Sequence, residues 1–589
     1  ESGINNDYGM FLEAGQGSHY KIYNNIISDK TGGYLFYFSD LTGIDSCDYN
    51  VLYRSGAGSF TYGPSYNSNL ANHRTNTGFG VHSATINPNF TALDSLYPTN
   101  AAIDGAGFYL SEVPNDINGT IRSTTLPDIG AYEITIPPLA GIYTIGGTTP
   151  DYPTLDSAAM DLNARGISAA VTFLIRPDTY VEHMFVDTII GADSSKLVTF
   201  RNDTNFTGTV LIKDSLTKDN PGLFTFKNSG YVKIIGLNFE EDGLSVNTSS
   251  CIRLEGLCTD FYVDSCNFKA NSSNFNNYYR SAIGTGESHV EISTDYPSGM
   301  TYQSERMEIS NSTMVGFGYP VNINGRSTHF ILADSPVGKV INCTMTGVSN
   351  YSFFGSHLDT LVFSSSEVSG SSLLLSLTGN KSVTIDKNKF FSVGDNHVSF
   401  LSGLGNLVSA SNPILITNNV FRSERSASTS QRIGFNIRSD DHYSFFNNTI
   451  YLETNIEDTA HHKVFSVDDV KNLNFKNNNV IFNGTNGYVY DLDRPSGHNY
   501  DLDYNNVYSK SGSIGLLGGV EYPTLDSLHT LGYDFSSLSL NPRFNNDTLL
   551  EPHVTELVDA GDSISDITDD ILGVSRDGTP SIGAYEYSY

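Results

Sequence analysis

Three stretches of this 589-residue chain carry side chains that could do chemistry. Asp440-Asp441-His442 places two carboxylates beside an imidazole, the residue types that acid/base cleavage of a glycosidic bond requires. His461-His462-Lys463 follows and could complete such a site, although adjacent histidines in a loop also serve as exposed polar filler. Asp559, Asp562, Asp566, Asp569 and Asp570 form an acidic run that resembles a Ca²⁺ loop only loosely, because the Asp-x-Asp-x-Asp-Gly spacing is missing. Arg576 and Asp577 come next and read as an ion pair finishing the closing segment. No Gly-x-Ser-x-Gly, P-loop or His-Glu-x-x-His motif occurs. The five cysteines (Cys47, Cys251, Cys258, Cys266 and Cys343) are odd in number and form no pair of Cys-x-x-Cys motifs. On these residues alone no catalytic, cofactor-binding or metal-ligating position is assigned, with Ca²⁺ the one ion the acidic run admits.

Composition narrows the partners. The balance of 33 basic against 64 acidic residues gives −31, which argues against nucleic acid and anionic membranes. Charged residues make up only 16%, aromatic residues 12%, and tryptophan is absent, a profile that suits a neutral-polar, β-rich extracellular surface. No run of 18 apolar residues offers a membrane span. The opening Glu1-Ser2-Gly3 is no signal peptide, so any targeting or anchoring signal is expected to lie outside this sequence or to have been removed.

The elements that would position such residues come in two nested repeats. Ile22–Ile27 aligns with Phe475–Val480, Asn87-Pro88-Asn89-Phe90 with Asn541-Pro542-Arg543-Phe544, and Ile129–Glu133 recurs unchanged as Ile582–Glu586, at offsets of 453 or 454. The expected organisation is therefore the C-terminal part of one domain (1–136) followed by a complete copy (137–589), cut from a longer tandem array. Pro137-Pro138 between them favours a semi-rigid string of rods.

Inside the copy a six-residue pattern recurs, apolar at its ends and small and polar at its fourth place. The fourth residues are Cys266, Ser312, Cys343, Ser366, Asn388, Asn419, Asn448, Asn478 and Asn505, with Asn25 and Asn50 in the partial copy. After a first gap of 46 residues their spacing is 22 to 31, one coil of a β-solenoid per period. Alternation sends every second side chain inward. At the fourth place an Asn can turn inward, adopt the left-handed backbone of a bend, and hydrogen-bond to its neighbours above and below. Cys266 and Cys343 are then buried thiols of the same stack. The 46-residue gap reads as a loop inserted between Asn271 and Ser304, whose Tyr278, Tyr279 and Tyr296 could stack on sugars or pack within the loop. Residues 152–164 read as a short helix, with Leu155, Ala159 and Leu162 on one face, that covers the open end of the core.

These coils resemble the right-handed parallel β-helix repeats of the pectate-lyase-like superfamily. The opening Tyr143–Gly147, Tyr152–Leu155 and Ile175–Tyr180, and the closing Asn541–Phe544, Val558–Gly561 and Ile582–Glu586, look like units of very large secreted surface proteins of Bacteroidota. The resemblance implies an all-β right-handed solenoid, export by the type IX route, attachment at the outer cell surface, and kinship with gliding-motility adhesins. Adjacent repeats of the same polypeptide and a glycan or surface ligand are the implied partners, with no nucleic acid and no membrane insertion. Asp-Ser or Asp-Thr before an apolar residue, with the hydroxyl at Ser95, Ser157, Thr188, Ser215, Thr360, Thr459, Ser527, Thr548 and Ser563, resembles the O-glycosylation motif of that phylum. The chain is accordingly expected to be a non-catalytic, structural and adhesive filament segment and no enzyme, since no carboxylate-plus-base cluster emerges and whole scaffolds are copied. The alternatives are a secreted polysaccharide lyase, hydrolase or carbohydrate-binding β-helix, and a trimeric tailspike-like protein, against which the tandem copies speak.

Overall fold

The computed structural model describes residues 8–587, except 14–16, 30–32, 56–59, 64, 93–94, 218–219, 242–247, 272–278, 286–302, 305, 318, 325–336, 348–350, 372, 394–397, 424–430, 439, 455–460, 494–496, 511, 545–548 and 577. The chain divides into two compact units, Glu1–Ala140 with Met160–Ser168, and Gly141–Ala159 with Ala169–Tyr589.

The larger unit is a parallel β-solenoid. Its three sheets hold 13, 12 and 13 strands among the described residues; each full coil contributes one strand to each sheet, and Val520–Tyr522 adds an antiparallel strand to the third. Ile414–Thr417, Val420–Ser423 and Ile433–Arg438 make one such coil. Register is kept from coil to coil, so that inward residues form columns: Phe363, Ile385, Ile416, Phe445, Phe475 and Leu502 succeed one another in the first sheet. All six are buried, and rings meet along the axis, as in the Phe390–Phe421 stack at 4.7 Å. Such columns remove apolar area from water along the whole rod. They also hold a parallel sheet together without hairpins.

The fourth-place residues do form an internal ladder at the bend between the first and second sheets. The backbone N–H of Asn388 donates to Asn419 Oδ1 (2.9 Å), that of Asn419 to Asn448 Oδ1 (3.0 Å), that of Asn448 to Asn478 Oδ1 (3.0 Å), and that of Asn478 to Asn505 Oδ1 (2.9 Å). Each Asn Nδ2 also donates to a carbonyl of the preceding coil, as Asn448 does to Ile416 (2.8 Å). The bend's buried amides are thereby paired, which is what a dry corner demands. Ser366 and Ser312 do the same with a hydroxyl, receiving the backbone N–H of Cys343 (3.0 Å) and Cys266 (3.1 Å). Both thiols are buried, as expected of the stack. The left-handed residue, however, is the one before: Asn418, Asn447 and Asn477 have φ of 54°, 55° and 58°, so the third place turns the chain and the fourth points inward.

One expectation about the coils is corrected. Part of the supposed insertion, Tyr279–Thr285, is a regular strand pairing with Thr248–Glu255 and Tyr319–Asn324. Tyr278 and Tyr296 lie outside the described residues, and of Tyr279 only the backbone is described. The helix Leu155–Arg165 buries Leu155, Ala159 and Leu162 together, as the spacing predicts. A second short helix, Leu525–His529, is opened by a Thr524/Ser527 capping box.

The smaller unit has parallel strands Tyr8–Leu12, Tyr34–Phe38 and Thr61–Tyr62 over a core that includes Leu35, Phe36, Phe38, Cys47 and Leu52. Its ladder is short: Asn25 N–H donates to Asn50 Oδ1 (2.9 Å), and Asn50 N–H to Ser83 Oγ (3.0 Å). The helix Leu70–Thr77, capped by Asn69, buries His73 against Thr61 Oγ1 (2.9 Å).

Candidate functional site

Of the residues singled out for acid/base work, Asp440, Asp441, His461, His462 and Lys463 each engage other partners, and His442 Nδ1 is buried with no hydrogen-bond partner among the described residues. Asp440 is 2% exposed and ends a second internal ladder, at the bend between the third and first sheets. There Leu358 N–H donates to Asn380 Oδ1 (3.0 Å), Asn380 N–H to Asn406 Oδ1 (3.0 Å), and Asn406 N–H to Asp440 Oδ1. Tyr443 OH donates to Asp440 Oδ2 (2.8 Å). Burial pushes this carboxyl above its usual range, and the bonds from Tyr443 and Asn406 partly offset that. Asp441 forms an exposed ion pair with Lys471. His462 is buried and takes the backbone N–H of Arg432 on Nδ1 (3.0 Å), while His461 stacks on Tyr488 and Lys463 pairs with Asp491. Asn380 and Asn406 escaped the sequence reading because their ladder spans too few coils to show a period.

The acidic closing run is also committed. Asp569 pairs with Lys387 (2.6 Å) and Asp562 with Lys476 (3.4 Å). Asp570 accepts the backbone N–H groups of Leu572 and Val574 (both 2.8 Å) on one oxygen and that of Glu586 (2.8 Å) on the other. Arg576 pairs with Glu586 (2.9 Å); Asp577, its expected partner, lies outside the described residues. Among the described residues no cluster of three or more His, Cys, Asp or Glu could hold a metal ion. Of the Asp-Ser/Thr hydroxyls, Ser95, Thr188, Ser215 and Ser563 are exposed. Ser157 and Ser527 are half-buried with their hydroxyls engaged in helix caps, Thr360 is half-buried, and Thr459 and Thr548 lie outside the described residues.

A cleft that no motif announced lies on the outer face of the second sheet. Its floor is one outward row, Arg422, Tyr451, Ile481 and Tyr508, brought into register from four successive coils. A second row, Glu453 and Asn483 with Lys510 beyond the last strand, runs beside it. The closing segment supplies the wall through Asn541, Phe544 and Leu550, and the whole encloses about 310 Å³. Phe544 meets the Tyr451 ring edge-on at 6.0 Å, and both pack over buried Val420, Leu550, Ala584 and Tyr585. Asn483 Nδ2 donates to Tyr451 OH (2.5 Å) and more weakly to Glu453 Oε1 (3.4 Å). The floor thus joins aromatic faces to amides and charges of both signs, a surface suited to polyhydroxylated ligands.

No protein-family model matches the chain, and no curated protein matches it. Solved structures do. The complex of XylC with xylose aligns at TM-score 0.41 and 11% identity, over 76% of this chain and 98% of that one. A rhamnogalacturonan lyase aligns at TM-score 0.31 and 12% identity, over 76% and 97%. A GH136 lacto-N-biosidase from Eubacterium ramulus aligns at TM-score 0.31 and 8% identity, over 64% and 67%. These likenesses concern the solenoid fold alone and give this chain no activity. The expectation that the chain is no enzyme is corrected here: proteins named as a lyase and a biosidase are among the structures it matches.

Proposed function

We propose that this chain is a segment of a very large tandem-repeat polypeptide at the outer cell surface, acting as a semi-rigid spacer that presents side loops and clefts for adhesion to surfaces or glycans. The observation that carries the proposal is the repetition of one closing arrangement. Asp116, Arg122 and Glu133 make in the smaller unit the contacts that Asp570, Arg576 and Glu586 make in the larger. Two endings of one design support the reading of the chain as part of an array. On this reading residues 1–136 close a preceding domain and 137–589 form a complete one, wound right-handed as the resemblance implies. Bacteroidota origin, type IX export, kinship with gliding adhesins and O-glycosylation of the exposed hydroxyls belong to the same proposal. So do the partners, namely neighbouring repeats and a glycan or surface ligand. Thirteen coils at ~4.8 Å would carry each unit roughly 60 Å along the rod.

Electron microscopy of the native polypeptide, with adhesion of the 589-residue chain to glycan-coated beads, tests this reading. Long thin rods with a regular repeat and bead capture are expected; compact particles that capture nothing would sink it. A second reading, a glycan-binding or glycan-cleaving β-helix, is favoured by the cleft under the closing segment. Incubation with acidic and neutral polysaccharides, followed by assay of new reducing ends and unsaturated uronates, tests cleavage.

A further inference from the structure

Two groups facing the cleft stand out because nothing among the described residues uses them. The Tyr508 ring is half-buried, and Lys510 is exposed at the rim. Among the described residues neither the Tyr508 ring nor the Lys510 ammonium has a hydrogen-bond, ion-pair or ring partner. The contrast with Tyr451 is sharp, since its hydroxyl and ring are held by Asn483 and Phe544. It is sharp as well with the aromatic row of the smaller unit. There Phe11, Tyr37 and Tyr62 cover one another's faces at 5.2 and 4.6 Å and leave edges to solvent.

We propose that the cleft binds an acidic saccharide of one or two rings, a pyranose face lying on Tyr508, hydroxyls on Asn483 and Asn541, and a carboxylate or sulfate on Lys510. This rests on the adhesive reading and names its ligand class. Size agrees, because about 310 Å³ lies at the small end of ligand pockets. Tyr451 and Tyr508 are two coils apart, about 10 Å, which spans two sugar rings. Charge gives the selectivity. The lining holds two cations, Arg422 and Lys510, against the single carboxylate of Glu453. In a chain of net charge −31 such a lining is a local inversion of sign. An ammonium on a flexible stem at the rim of a half-desolvated floor gains most from an anionic oxygen. The surrounding negative charge repels acidic glycans elsewhere, so their binding is confined to this place.

Titration calorimetry on the 589-residue chain, with digalacturonate, a sulfated galactose disaccharide and neutral cellobiose as probes, tests the proposal. At least one acidic probe is expected to bind better than cellobiose by about tenfold, and the two acidic arms tell carboxylate from sulfate. Tyr508→Leu, which keeps the packed volume, is expected to weaken acidic binding about tenfold, and Lys510→Gln to bring it down to the cellobiose level, both at unchanged melting temperature. Equal binding of cellobiose, no binding of either acidic probe, or full affinity in both variants would overturn the assignment. Bead adhesion run in parallel separates the two readings. If both variants adhere like the parent, the cleft assignment fails while the adhesive reading stands. If the acidic probe binds as described but no bead is captured, the cleft stands and the adhesive reading fails.

Discussion

The two closing segments, 101–134 in the smaller unit and 555–587 in the larger, share a clasp and differ in what they hold. In both, an Asp gathers three backbone N–H groups, the last of them from the Glu of Ile-Gly-Ala-Tyr-Glu. In both, an Arg reaches that Glu and the carbonyl of the motif's Gly, with Arg122 to Gly130 at 2.7 Å and Arg576 to Gly583 at 2.8 Å. Tyr132 and Tyr585 donate to equivalent carbonyls, Ser95 (2.7 Å) and Leu549 (2.6 Å). The differences lie around the clasp. Arg576 also donates to Asn418 Oδ1 (3.1 Å), and Ala584 N–H to Thr449 Oγ1 (3.0 Å), which adds two coil contacts to the one both units make, where Gly130 and Gly583 N–H donate to the Asn24 and Asn477 carbonyls (both 2.8 Å). Where the larger unit has Ser581, the smaller has buried Asp128, which accepts Gly105 N–H (2.6 Å) and Ile134 N–H. Burial pushes Asp128 up to about 6. The clasp is thus the part of the ending that the repeat preserves, and its surroundings set stability and pH response.

The largest effect is expected at the larger unit's clasp. Arg576→Ala leaves Glu586 and the Asn418 amide oxygen without their cation and should cost about 3–5 kcal/mol, seen as a lowered melting temperature and release of the closing segment in limited proteolysis. Arg122→Ala should cost about 1–2 kcal/mol less, because it forfeits no coil contact of the Asn418 kind. Equal losses would break the comparison. Next comes the ladder. Asn448→Ala strands Asn419 N–H and the Ile416 carbonyl in a dry corner and should cost about 2–4 kcal/mol in thermal unfolding.

The Asp128/Ser581 difference predicts opposite changes in pH dependence. Asp128 titrates near 6 when folded and near ~3.9 when unfolded, so in that window the folded chain binds more protons. Its contribution is complete below about pH 4 and is lost as pH rises through about 6. Asp128→Asn should therefore flatten the pH dependence of the smaller unit's unfolding free energy between those limits, by on the order of 1–2 kcal/mol, while Ser581→Asp should introduce the same slope in the larger unit. The smallest effect concerns thiols. Burial raises Cys47 and Cys266 to about 12 and Cys258 and Cys343 to about 11, so a thiol reagent at neutral pH should label none of these four until the chain unfolds.

What the sequence disclosed follows the physics of repetition. The Asn388–Asn505 ladder was legible because one amide recurs in every coil beside an alternating apolar strand. The shift of the left-handed bend to Asn418 and its equivalents was not, since Asn occupies both the third and fourth places there and pattern alone cannot say which one turns. Asp440 looked like an acid beside a base because its partners, Asn406 and Tyr443, belong to a three-rung ladder too short to show periodicity. The cleft was hidden for another reason: its floor comes from four coils and its wall from a segment far along the chain. Only the register, with Tyr451 over Ile481 over Tyr508, brings those residues together.

The most direct test of the central claim is the intact mass of the native polypeptide that contains this sequence, with peptide mapping of its endings. A tandem array predicts a polypeptide several times longer than 589 residues, carrying further Ile-Gly-Ala-Tyr-Glu-like clasps at intervals of about one unit. A polypeptide close to this length, with these two clasps alone, would contradict it.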